Sequence, residues 1–296
     1  MFKLISFTAM LILLIGSNSV HSSDSGDRFD FKLSQHSRDK NKISKPALIQ
    51  YTNPKDKKES YLLDAAIKAV YAPSGSSIET TGMIEVHKNT LIDKEQDTLS
   101  LGVMVGKYLI ESGCTNIPGV VGVKVCKNNL FGDASVSYQK DNENEKKSVL
   151  AVFELSGTVA DWYLNNVHAK SNFPVYWSPI FGLEYEDYIT SNDSKEGSLG
   201  RLYGNIEIGV YPFFSELEGR LSFTFSHSYW SDFGKDEALK IEDDTHKLNK
   251  ANISYQVTPS DSKVAVSLNL SWLDGENPRT KKADQQYTQF SIGVKF

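Results

Sequence analysis

From Leu221 to its end the chain alternates oily and wet positions with a period of two. Leu221, Phe223, Phe225, His227 and Tyr229 share one face, with Ser222, Thr224, Ser226 and Ser228 on the other. Ala251, Ile253, Tyr255 and Val257 likewise stand opposite Asn252, Ser254 and Gln256. Val264, Val266, Leu268, Leu270 and Trp272 oppose Ala265, Ser267, Asn269 and Ser271, and Phe290, Ile292, Val294 and Phe296 oppose Gln289, Ser291, Gly293 and Lys295. Seventeen of eighteen first-face positions are apolar or aromatic, against one of fifteen on the second. A helix with 3.6 residues per turn does not produce that contrast. These are strands.

The same template read backwards predicts twelve strands, over 47–52, 60–72, 78–89, 97–110, 132–140, 147–158, 174–190, 199–212, 219–231, 245–258, 263–274 and 284–296. Turn-forming clusters such as Pro73-Ser74-Gly75-Ser76-Ser77 and Ser191-Asn192-Asp193-Ser194 separate many of them. An exported β-sandwich would also alternate, but sandwich strands average about five or six residues. A tilted strand crossing a bilayer needs about nine to eleven, a length most of these reach. The wet face is mainly Ser, Thr, Asn, Gln and Gly with scattered charges, which suits an enclosed aqueous lumen. Tyr61, Tyr71, Trp177, Tyr185, Tyr229, Trp272, Phe290 and Phe296 fall near strand ends on the oily face, where interfacial girdles sit. The expected fold is all-β, a transmembrane antiparallel up-and-down barrel of twelve strands. Lipid offers no hydrogen-bond partner, so such strands must close on themselves.

The final residues, Tyr287-Thr288-Gln289-Phe290-Ser291-Ile292-Gly293-Val294-Lys295-Phe296, resemble the closing strand of Gram-negative outer-membrane β-barrels. The resemblance implies that Phe290, Ile292, Val294 and Phe296 form a signal for the barrel-assembly machinery. It also implies outer-membrane lipid and lipopolysaccharide as surroundings, with both termini in the periplasm. Connections near 53–59, 91–96, 141–146, 191–198, 232–244 and 275–283 would then face the medium as a charged, solvated rim.

Met1-Phe2-Lys3, the apolar run from Leu4 to Ile15 and the small residues of Gly16 to Ser22 have the layout of a secretory signal peptide, residues 1–22. Cleavage is expected after Ser19 or Ser22. The apolar run is too short to span a bilayer as a helix. Residues 23–45 are polar and charged and read as a flexible extension ahead of a barrel domain over 46–296. The chain holds 32 basic and 37 acidic residues, and losing Lys3 with the signal takes the net charge from −5 to −6. That balance disfavours a nucleic-acid partner held through phosphates. Two long connections lie on the side opposite the rim. Residues 111–131 carry Cys114 and Cys126, expected to form a disulfide in an oxidising compartment, with a stabilisation of roughly 3 kcal/mol from loop closure. Residues 159–173 are expected to form a short helix or a constriction.

The wet face decides function. Its candidate pore-lining residues are Asp64, Lys68, Glu79, Glu85, His87, Glu154, Glu184, Glu186, Arg201, Tyr203, Asn205, Glu207, Lys250 and Asn252. Centring the turns sets Glu186 opposite Tyr203 with Arg201 on the diagonal, and Lys68 diagonal to Glu79. Such pairs either stiffen the wall by neutralising one another or line a polar channel. More carboxylates than cations favours small polar or weakly cationic solutes. A non-conducting barrel, serving as adhesin, assembly partner or anchoring platform, is the alternative. An outer-membrane lipid hydrolase is the second alternative, but His227-Ser228 and His168-Ala169-Lys170-Ser171-Asn172 lack the His-x-Ser spacing of known barrel lipases. No Gly-x-Ser-x-Gly elbow or metal-ligand spacing occurs either. The expectation is therefore a channel with no catalytic residue, no metal and no cofactor.

Overall fold

The computed structural model describes residues 28–37, 47–52, 60–73, 76–90, 95–116, 124–162, 164, 173–190, 196–239, 244–259 and 264–295. The signal segment 1–22 and Phe296 lie outside them. Thirteen strands form among these residues: β1 Arg28–Ser34, β2 Ala47–Thr52, β3 Ser60–Ala72, β4 Ile78–Asn89, β5 Gln96–Asn116, β6 Lys124–Asp141 and β7 Lys146–Val159. They continue as β8 Val175–Thr190, β9 Gly197–Val210, β10 Leu221–Phe233, β11 Thr245–Gln256, β12 Ala265–Asn277 and β13 Lys282–Lys295.

Neighbours in sequence pair antiparallel from β2 round to β13, and β13 returns to β2 through Ile292–Ile49, Gly293–Leu48 and Val294–Ala47. The ring is closed. Its first position is shared: β2 pairs with Ser60–Asp64 of β3, and β1 pairs with Ala66–Ala72 along the same edge. Thirteen strands thus fill twelve places, since β1 and β2 form one interrupted strand. Closure is the physical answer to bilayer insertion, because it leaves no unpaired sheet edge.

The outer surface is apolar. Leu101, Val103, Phe153, Phe181, Leu183, Leu202, Phe225, Leu270 and Phe290 are exposed on it. Phe223, Ile253, Leu268 and Ile292 are exposed as well rather than stacked in a dry middle, which excludes the sandwich. The inner side buries Ser135, Ser137, Ser178, Ser226, Ser267, Asn269 and Ser291 with many charges.

Several expectations need correction. Within the 23–45 extension, the described residues 28–37 do not stay outside the barrel as a tail. Arg28–Ser34 adds to β3, placing Phe29 and Phe31 on the lipid side with rings 5.0 Å apart. The 111–131 connection is largely strand, because β5 and β6 continue beyond their outer neighbours as a two-stranded projection. Cys114 and Cys126 face each other there and are bonded. In 159–173, Ala160–Trp162 is a single 3-10 turn, and Trp177 Nε1 donates to the Trp162 carbonyl at 2.7 Å. Two cross-strand registers differ, the first by four residues, although Arg201 stays diagonal to Glu186. Glu186 lies opposite Leu199, and Lys68 lies opposite Met83, diagonal to Glu85 rather than Glu79. Turn centring assumed symmetric loops, whereas pairing starts at Tyr188–Gly197 and Tyr71–Thr80.

Candidate functional site

Strand alternation turns all fourteen candidate residues to the inner side, but they do not form one continuous lining. Two short turns enter the lumen and divide it.

The first turn joins β12 to β13. The 275–283 segment, expected on the solvated rim, instead folds inward. Gly275 adopts φ +110°, and the register slips between it and Asn277. A Cβ at Gly275 would sit 2.1 Å from the Lys247 carbonyl oxygen, so this bulge requires glycine. The Asn277 side chain accepts from Arg279 N–H at 3.0 Å and Pro278 opens a 3-10 turn, Pro278–Thr280. Gln139 donates to the Arg279 carbonyl at 2.8 Å, and Gln96 and Thr98 donate to the Thr280 carbonyl. The turn thereby reaches strands β5 and β6, across the ring from its own.

Its side chains meet a carboxylate wall. Arg279 Nη1 lies 2.6 Å from Glu154, its Nε contacts Glu184, and its guanidinium stacks 3.8 Å from the Tyr203 ring centroid. Lys281 Nζ contacts Glu186. Burial works against the Arg279 charge, but Glu184 and Glu154 outweigh it and raise its pKa. Beneath the turn, Arg201 reaches Glu186 at 2.8 Å, Glu184 at 3.7 Å and Asp232 at 3.2 Å. Asp232 continues to His246, which meets Glu276 at 2.6 Å.

An apolar cluster adjoins this network: Tyr203, Trp230, Leu248 and Leu273, with Ile180 and Tyr287 against it. Trp230 donates to Glu184 at 3.0 Å. The interior is therefore less uniformly wet than the alternation implied. Trp230 and Leu248 do occupy inward positions of their runs, the signal that could have found them.

The second turn leaves the end of β1. Ser34, Gln35 and Ser37 are buried. Gln35 donates to Asp64 at 3.2 Å, and Ser37 N–H donates to Glu85 at 3.0 Å. His36 and His87 both approach Glu85. Glu79 lies apart from this group, at the start of β4, and receives Arg28 at 3.4 Å.

Between the turns lies a cavity with about 1370 Å³ of empty space, part of it open to solvent. Ser100, Ser137, Ser156, Ser178, Ser226 and Ser228 line it with Asn205. Its charged wall holds Glu85, Glu154 and Glu207 against Lys250 and Arg279. Lys68, Glu184, Glu186 and Arg201 are buried within the wall rather than along the cavity. Asn252 accepts from Ser271 at 2.7 Å.

A closed antiparallel ring, apolar outside and polar within, defines an outer-membrane β-barrel. No family model matches the chain, and no curated protein matches it. Among solved structures it is similar to OmpT, an outer membrane protein of Vibrio cholerae folded in vitro. That likeness has 9% identity and a TM-score of 0.36, covering 95% of this chain and 99% of that one. The trimer form of the same protein gives 10% identity and a TM-score of 0.27, over 91% of this chain and 99% of that one. The class is carried by the ring and its apolar exterior, not by these likenesses.

Proposed function

We propose that the barrel is a narrow channel for small polar or weakly cationic solutes, constricted at one mouth by the Pro278–Thr280 turn. The observation that carries this reading is the hydroxyl-lined cavity between the two inward turns. Three carboxylates against two cations on its wall give a negative potential that a low-dielectric surround strengthens. Export through a cleaved signal peptide, assembly by the barrel machinery and termini in the periplasm belong to the same reading.

Planar-bilayer recording tests it. Small, cation-selective steps are expected from the folded protein, and Glu154→Gln with Glu207→Gln should move the reversal potential toward zero in a salt gradient. A silent barrel that stays silent in Arg279→Ala would replace the channel with an anchoring or assembly role. The lattice from Arg279 to Glu154 and Glu184, which closes part of the lumen, favours that second reading. Neither reading includes catalysis. Turnover of labelled phospholipid or lipopolysaccharide, lost on changing His87 or His227, would overturn both.

A further inference from the structure

His36, Glu85 and His87 meet on the lumen side of β4 toward its Asn89 end, brought together by the inward turn after β1. Glu85 and His87 are two residues apart on β4 and so point to the same side. His87 Nε2 lies 2.6 Å from Glu85 Oε1, and His36 Nδ1 lies 3.3 Å from that same oxygen. The other oxygen, Oε2, is held by Ser37 through both backbone N–H and hydroxyl. That clamp leaves Oε1 facing the two imidazoles. One nitrogen from each ring and one carboxylate oxygen all lie within 4.8 Å of one another.

We propose that these three side chains form a site for a divalent d-block cation, Zn²⁺ foremost, with His36 Nδ1, His87 Nε2 and Glu85 Oε1 as ligands. Two imidazoles and a carboxylate are a zinc ligand set that leaves a fourth position open. Hard cations such as Ca²⁺ and Mg²⁺ prefer all-oxygen shells and are disfavoured here. At metal–ligand distances of about 2.0–2.1 Å, tetrahedral ligands stand roughly 3.4 Å apart. The two contacts to Oε1, at 2.6 and 3.3 Å, fall just short of that spacing, and all three ligand atoms lie within 4.8 Å of one another, so small side-chain rotations complete the shell.

An outer partner is already in place. Asp64 Oδ1 lies 3.0 Å from His87 Nδ1, the carboxylate–histidine arrangement that fixes a ligating ring and raises its basicity. Gln35 in turn donates to the second Asp64 oxygen. His36 and Glu85 also line the cavity, so the open position faces the lumen and an ion has a route in. The site accounts for an otherwise odd feature of the fold. A barrel strand is broken between Ser34 and Ala47, and the residues at the break present a histidine and a clamp for Glu85.

The test is a titration of the folded barrel in detergent with Co²⁺, a coloured stand-in for zinc, followed by Zn²⁺ displacement. One Co²⁺ per chain is expected, with visible d–d bands of four- or five-coordination that Zn²⁺ abolishes. His36→Ala and His87→Ala should each remove the bands, whereas Asp64→Asn should weaken binding by roughly 10–100-fold and retain them. Heat-dependent gel mobility checks that each variant is folded. If His87→Ala does not fold, His36→Ala decides alone, since that residue sits on the turn rather than in the ring. Absence of bands in the wild type, or bands that survive His36→Ala, would overturn the site. The titration needs no ion flow, so a silent barrel that binds Co²⁺ loses only the channel reading.

Discussion

The two inward turns solve the same problem with different chemistry. Pro278–Thr280, with Lys281 just after it, carries a guanidinium and an amine into a wall of buried carboxylates. Gln35–Ser37 carries an amide to Asp64 and a histidine and a hydroxyl to Glu85, on the opposite side of the lumen. A guanidinium stays charged under all ordinary conditions, so the first turn is held shut by a lattice with no simple release. Imidazole gains or loses charge and also takes metal, so the second is open to its surroundings. One turn belongs to the wall, the other to whatever enters the cavity.

The largest effect in this comparison should come from beneath the first turn. Arg201 is 3% exposed at its side chain and serves Glu184, Glu186 and Asp232, themselves at 0%, 0% and 1%. Arg201→Ala strips these buried anions of a shared partner, an outcome that costs about 3–5 kcal/mol. Guanidinium unfolding in detergent, read by far-ultraviolet circular dichroism, should show the loss. A midpoint unchanged from wild type would mean that water already solvates the group, and the contrast between the turns would fail.

Gly275→Ala ranks next, and it separates the turn from the wall beneath it. The added methyl meets the Lys247 carbonyl, so the bulge that aims residues 278–280 inward cannot persist. Ion pairs to Glu154, Glu184 and Glu186 would be lost together while the ring stays hydrogen-bonded. Unitary conductance should rise several-fold, with a stability loss of about 1–3 kcal/mol for the forfeited charged hydrogen bonds. Lower conductance would show that the turn shapes the passage rather than obstructing it.

That turn also marks where sequence reading stops. Period-two alternation carried the ring, because the lipid side must be apolar at every second position; Phe223, Ile253 and Leu268 needed no other information. It could not carry the insertions. Asp274-Gly275-Glu276-Asn277-Pro278 reads as a solvated turn, since its hydrophilic residues suit water and an anionic lumen equally. Arg28–Ser34 was hidden for a related reason. Phe29, Phe31 and Leu33 do alternate, but charged neighbours and the break before Ala47 mask a strand whose partner edge is shared with another segment. The inward sense of Glu184, Glu186 and Arg201 was legible from alternation, and so was the Glu186–Arg201 diagonal; the addition of Glu184 and Asp232 to that pair was not. Grouping depends on register, and register on which residues begin each hairpin.

The smallest effect belongs to the second turn, and its smallness is informative. His36→Ala removes an imidazole that is 24% exposed at its side chain. Glu85 keeps Ser37 N–H and hydroxyl on one oxygen and His87 on the other, so no buried anion is abandoned. In metal-free buffer the stability change should be within about 1 kcal/mol, the scale of one ordinary hydrogen bond. With Zn²⁺ added, the wild type should gain stability with ligand concentration as RT ln(1 + [L]/Kd), and the variant should gain nothing. A ligand that binds only the folded state produces that divergence, whereas a merely structural ion pair would give two parallel unfolding curves in the presence and absence of metal. A loss above about 3 kcal/mol in metal-free buffer, the scale set for removing a buried ion-pair partner, would place His36 in the wall with Arg201 and erase the distinction between the turns.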